Sequence, residues 1–175
     1  ILLFSILFFT NFVLFYLPGL PGSLTSVTGN MPASVIPDVQ LTYDADDIYD
    51  FLTKIGPVGR QHFQRFHLST DLTFPFVYGI LFFAILSRWV LLLDLKVAYL
   101  PFLGLPPTLF DLAENTSLMI ITQNFPDVME GLASVTWLLT LTKFMLMMVT
   151  VSLIIYLGVR VVTLRRAKAA SEKVE

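Results

Sequence analysis

Four long apolar runs separated by polar stretches dominate the chain: residues 1–17, 72–93, 97–124 and 132–159. A hydrocarbon core takes roughly 20 residues of helix at about 1.5 Å each, so every run predicts one membrane span. The short connections after the second and third runs favour antiparallel neighbours. The predicted fold is therefore an all-α integral membrane protein, with four transmembrane helices in an antiparallel bundle. The first run is apolar from Ile1, shows no basic n-region and ends in Leu17-Pro18-Gly19 instead of a small-x-small cleavage site. It reads as a span whose upstream end lies before Ile1, not as a signal peptide.

Residues 18–70 form a long polar loop. Its first part, residues 18–37, is rich in Pro, Gly, Ser and Thr and predicts irregular chain. Beyond it, Thr42 or Asp44 can cap a helix over about 44–55, with Asp44, Asp46, Asp47 and Asp50 crowding its start and Gly56-Pro57 stopping it. Ile48, Phe51, Leu52 and Ile55 recur at helical spacing and give that helix an apolar face. A second helix over about 59–70 runs on towards the second span. Pro75 then falls near the first turn of that span, where proline is tolerated. Pro106-Pro107 lies inside the third run and predicts a kink or break just before Asp111.

Basic residues orient the spans. Arg160, Arg165, Arg166, Lys168 and Lys173 follow the fourth run, in a tail over 160–175, and Arg88 and Lys96 flank the second connection. The positive-inside rule places these on the cytoplasmic or equivalent side, with both termini inside and the long loop outside. Trp89 and Tyr99 fit an inner interfacial belt. Composition agrees: 55% of residues are hydrophobic, 14% are charged and 16 are phenylalanine. The formal charge of −2 gives no basic face for a nucleic acid. The absence of cysteine removes disulfides, thiolate metal sites and cysteine nucleophiles.

Against this apolar background, ionisable residues within the runs are the strongest lead, because charge at bilayer depth is expensive. Asp111, Glu114 and Asn115 sit at i, i+3 and i+4, on one helix face. Counted inward from the outer ends, Glu114 and Lys143 both lie roughly 15 Å deep. An ion pair of Lys143 with Glu114 or Asp111 follows, leaving one acid to be protonated or to accept from Asn115, Thr116 or Thr142. Such a group serves either as an interhelical clamp or as a proton relay or general acid. His62, His67 and Asp71 form a second group at the outer mouth, with His67 and Asp71 four residues apart. With Asp111 or Glu114 they offer imidazole and carboxylate donors, but no metal-binding motif frames them, and no metal is assigned. Arg60 and Arg65 nearby are candidate binding residues for a lipid phosphate or for the acids of 44–50. Those acids lack the glycine and distant glutamate of a calcium loop, and the sequon at Asn115 falls within a span.

The order Gly56, Gly59-Arg60, Arg65-Phe66, Asp71, Phe74-Pro75, Tyr78-Gly79, then Phe110-Asp111-Leu112 and Glu114-Asn115 resembles a family of small four-helix membrane proteins that has no assigned activity. The resemblance covers about residues 43–143. It implies that Asp71, Asp111, Glu114 and Asn115 belong to one constellation, and it implies no reaction.

Three classes of function remain open. The chain suits a non-catalytic accessory or assembly subunit of a larger membrane complex, with spans apolar on nearly all faces for neighbouring helices, a bound lipid or a pigment. Alternatively it is a membrane-embedded lipid-modifying enzyme using Asp111 or Glu114 as acid/base. A proton- or ion-coupled carrier is the third, though carriers usually need repeats or larger bundles. The expected partners are membrane lipid and other membrane subunits.

Overall fold

The computed structural model describes residues 1–17, 23–29 and 31–171, and these are entirely helical or irregular, with no strand among them. The α-helices are α1 (Leu2–Tyr16), α2 (Leu24–Thr28), α3 (Ala45–Leu68), α4 (Thr70–Leu92), α5 (Pro106–Asn124) and α6 (Glu130–Ser171). Three 3-10 turns, Ala33–Val35, Pro37–Val39 and Leu100–Gly104, lie between them. Two stretches are long and apolar enough to cross a membrane: Ala45–Leu92, which contains α4, and Glu130–Ala170 in α6.

Contacts fix the relative directions. Thr150 Oγ1 donates to Leu103 O and Thr140 reaches Glu114, so α6 runs antiparallel to the chain through α5. Asn115 meets Asp71 near one end of the contact and Thr108 meets Gly79 further along, which sets α4 antiparallel to α5. Helix α1 packs on α4 through Phe8 on Phe74 and Asn11 on Thr73. Segment α3 lies across the ends of α4, α5 and α6 and carries a core of its own. Ile36, Ile48, Phe51, Leu52, Phe63 and Phe66 are buried there against Leu118 and Ile121. Burying each such side chain contributes about 1.5–3 kcal/mol. This core anchors the 3-10 turn at Pro37–Val39.

The predicted capping is present: Asp44 accepts from the Asp47 N–H, and the Asp47 carboxylate accepts from the Asp44 N–H. Asp44→Ala is expected to cost about 1 kcal/mol, seen as faster amide exchange confined to the first turns of α3. The stop predicted at Gly56-Pro57 is a break within α3. Gly56 takes φ 67°, a conformation open to glycine, and Pro57 has no N–H to give. The turn before the break needs other donors, and Arg60 Nη1 supplies one to Leu52 O at 2.8 Å.

Two expectations need correction, and one helix extends beyond its apolar run. The third run is not one helix over 97–124. Residues 100–104 form a 3-10 turn, and α5 begins at Pro106, because two prolines lacking N–H groups fit a helix only at its unbonded start. The prolines therefore begin the helix that holds Asp111 and do not break it. The fourth run lies within a longer helix: α6 continues through Ser171, into the basic tail, and its 42 residues span about 63 Å. Lastly, α4 starts at Thr70, so Pro75 lies inside it. Part of the segment expected to be irregular is helical at Leu24–Thr28, while residues 18–22, 30 and 172–175 lie outside the described residues.

Candidate functional site

Pro75 creates the first feature of the site. Without an N–H it cannot bond the carbonyl of Asp71, four residues back. Asn115 of α5 donates its Nδ2 to that carbonyl at 3.3 Å. Thr108 Oγ1, also on α5, donates to Pro75 O at 2.8 Å. The kink-prone turn of α4 is thus closed by side chains of α5, and Asp71, Tyr78 and Asp111 are drawn to one level.

The expected ion pair is formed. Lys143 Nζ lies 2.5 Å from Glu114 Oε2 and 3.6 Å from Asp111 Oδ1. Glu114 is wholly buried. Thr140 donates to its Oε1 at 2.5 Å, and Tyr43 lies 2.5 Å from the same hydroxyl. Thr140 has one proton, so with that proton on Glu114 the Tyr43 O–H is the donor to Thr140. Asp111 Oδ2 accepts from Tyr78 O–H at 2.9 Å. The partners of the acids are hydroxyls from other helices, in place of Thr116, which turns back to Leu112 O.

His67 and Asp71 also meet, Nδ1 to Oδ2 at 2.7 Å, both buried. The His67 ring is held edge-on by Phe63, centroids 4.3 Å apart. Asp38, from the Pro37–Val39 turn, joins this pair. One ligand-type atom from each of Asp38, His67 and Asp71 lies within 4.8 Å of the others. Lys143 Nζ donates to the Asp38 main-chain carbonyl at 3.3 Å, tying the turn to α6. Burial, and then the neighbouring Asp71 carboxylate, raise the Asp38 carboxyl to about 6. Asp38 lies between the irregular stretch and the first predicted helix, where no periodicity marks it, and Tyr78 reads in the sequence as one more apolar aromatic. Only the position of Tyr78 within the resembling motif hinted at it.

A half-open cavity of about 160 Å³ exposes this constellation. Asp38, Asp71, Asp111 and Lys143 form its polar wall, and Phe12, Phe74, Phe144 and Met147 its apolar one. Phe144 and Met147 also line an apolar groove along α6 with Met148 and Val151. Glu114 does not reach the cavity; it holds Lys143 from behind. Asp111 does, so of the two proposed acid/base residues only Asp111 faces the space a ligand would fill.

Other sequence candidates lie elsewhere. Arg60 stacks over the Phe125 ring, 4.2 Å from its centroid, where it braces the α3 break. Arg65 is exposed, and His62 lines a different surface pocket with Lys54 and Val27. Among the described residues, neither arginine pairs with the acids. Trp89, expected at the interface, packs its indole against Gly158 of α6. Among protein families, curated proteins and solved structures, none matches the chain.

Proposed function

We propose that the protein is an integral membrane enzyme that performs acid–base chemistry on the polar head of an amphipathic lipid. The observation that carries this reading is the junction of two spaces. The cavity has three carboxylates and an ammonium on one wall, and it shares Phe144 and Met147 with the apolar groove on α6. A polar head fits the first space, and a hydrocarbon tail fits the second. The volume of about 160 Å³ suits a head group and excludes a whole lipid.

Exposure supports placing α1, α4, α5 and α6 across the bilayer. Only 17% of the apolar stretch in α6 is buried, whereas the core helix of a soluble protein is mostly covered. Met145, Met148, Val149, Ile155 and Val159 all point outward, and in water they would make an apolar patch far larger than soluble monomers tolerate. The basic end of α6 sets the C-terminus on the cytoplasmic or equivalent side, with α3 as a cap opposite. In this arrangement Asp111, oriented by Tyr78 and Lys143, carries the proton to or from the head group. Glu114 is a positioning residue for Lys143.

The test is native mass spectrometry of protein extracted gently from its own membrane, followed by incubation with the lipids that co-purify. We expect a stoichiometric amphiphile on the wild type and its conversion to a product. Asp111→Asn should retain the amphiphile and lose turnover by about 10²–10⁴-fold, as for loss of a general acid or base. A bound but unconverted lipid would reduce the reading to a carrier of that lipid. Other polypeptides in fixed ratio, with no lipid, would establish an accessory subunit instead.

A further inference from the structure

We propose that Asp38, His67 and Asp71 form a site for one first-row divalent metal ion, such as Zn²⁺, on the polar wall of the cavity. The proposal does not depend on the lipid reading; it needs only these three side chains and access to them. Their ligand atoms already lie within 4.8 Å of one another. Around one tetrahedral ion with bonds of about 2.1 Å, donors sit about 3.4 Å apart, so the widest gap closes by no more than about 1.4 Å. The three side chains come from unlike elements: a 3-10 turn, the end of α3 and the first turn of α4.

The hydrogen bonding around the three points the same way. Asp38 Oδ1 is buried and has no hydrogen-bond partner among the described residues. Leaving such groups unpaired is costly, and a fully protein-paired network would not contain them. The His67–Asp71 contact at 2.7 Å shares a proton that an incoming cation can displace, as metal sites do when they assemble. Asp38 and Asp71 line the half-open cavity, so ion and water have a way in.

Charge allows it. Lys143 is the cation nearest the group, and Glu114 at 2.5 Å and Asp111 at 3.6 Å offset it. Four acids, Asp38, Asp71, Asp111 and Glu114, share the region with this one ammonium. A divalent ion offsets charge that otherwise has to be neutralised by protons. One imidazole among the donors selects against Mg²⁺ and Ca²⁺, which prefer all-oxygen shells.

The test uses the full chain in detergent, stripped with chelator and titrated with Zn²⁺ alone. Binding is followed by calorimetry and by elemental analysis after gel filtration. We expect one equivalent per chain. Asp38→Asn, a near-isosteric change in a 3-10 turn, should weaken binding by at least about 100-fold, beyond what changes outside the ligand shell produce. His67→Gln should do the same, while His62→Ala on the other face keeps the full equivalent. Co²⁺ bound to the wild type should show visible absorption bands that Asp38→Asn lacks. The absence of stoichiometric metal on the wild type, or unchanged binding in Asp38→Asn and His67→Gln, overturns the site. Loss of the metal in His62→Ala overturns it too. None of these results bears on lipid retention, so the two proposals fail separately.

Discussion

Lys143→Met is expected to destabilise the protein by about 3–5 kcal/mol, the usual consequence of removing one partner from a buried ion pair. By the scaling for chains of this size, that lowers Tm by roughly 6–20 °C in detergent. The cause is Glu114: it is wholly buried, its Oε2 faces Lys143 at 2.5 Å, and α5 and α6 give it no route to water. The double change Glu114→Gln/Lys143→Met should recover most of the loss. A neutral amide can still accept from Thr140, and the wholly buried carboxylate that faced Lys143 is gone. Asp111 keeps its hydrogen bond from Tyr78 and tolerates the change. A double variant as unstable as Lys143→Met would mean that Lys143 is needed for its bond to the Asp38 carbonyl, which holds the outer turn down.

Gly79→Ala should cost about 2–6 kcal/mol, although it adds a single methyl group. A Cβ at this position meets Thr108 Oγ1 and Thr108 Cβ across the contact between α4 and α5. Overpacking of this kind costs about 1–3 kcal/mol. The displaced Thr108 hydroxyl also leaves Pro75 O unpaired, which adds about 1–3 kcal/mol. The thermal unfolding of Gly79→Ala, Thr108→Ala and their combination tests the mechanism. Removing the hydroxyl should make Gly79→Ala markedly milder. Additive losses in the double variant would show that the two residues do not collide and would reject the account.

Hydrophobic patterning located α4 and the apolar body of α6 because length and polarity there have few alternative explanations. The pairing of Glu114 with Lys143 was also legible, since depth could be counted along two helices from a short connection. Proline was read less well. Pro106-Pro107 signals a discontinuity, but periodicity alone does not say whether a helix breaks there or begins. Pro75 reads as part of a first turn, whereas the consequence of its place inside α4, Asn115 bonding to the freed Asp71 carbonyl, depends on a neighbour 44 residues away. Asp38 was invisible for a similar reason. It sits in an aperiodic stretch and reaches the acids only because Ile36 and α3 fix its turn over them. Arg60 showed the opposite error: a charge near the acids in sequence is spent on an aromatic face and a broken helix turn. Local rules identify which residues are unusual, while the long-range closure of the chain decides which of them meet.

The polar face of α5 has a consequence for how the protein is made. Its 19 residues include Asp111, Glu114 and Asn115, and it is not among the stretches apolar enough to cross a membrane unaided. On insertion scales an acid such as Asp costs about 2.5–3.5 kcal/mol at a helix centre, against about 0.3–0.6 kcal/mol gained by each large apolar residue. Alone, α5 would partition back towards water. The balancing ammonium arrives with α6, after a connection of only five residues, 125–129. In the membrane arrangement proposed above, the two helices would enter the bilayer as one hairpin, and Lys143 would be the residue whose synthesis commits α5 to the membrane.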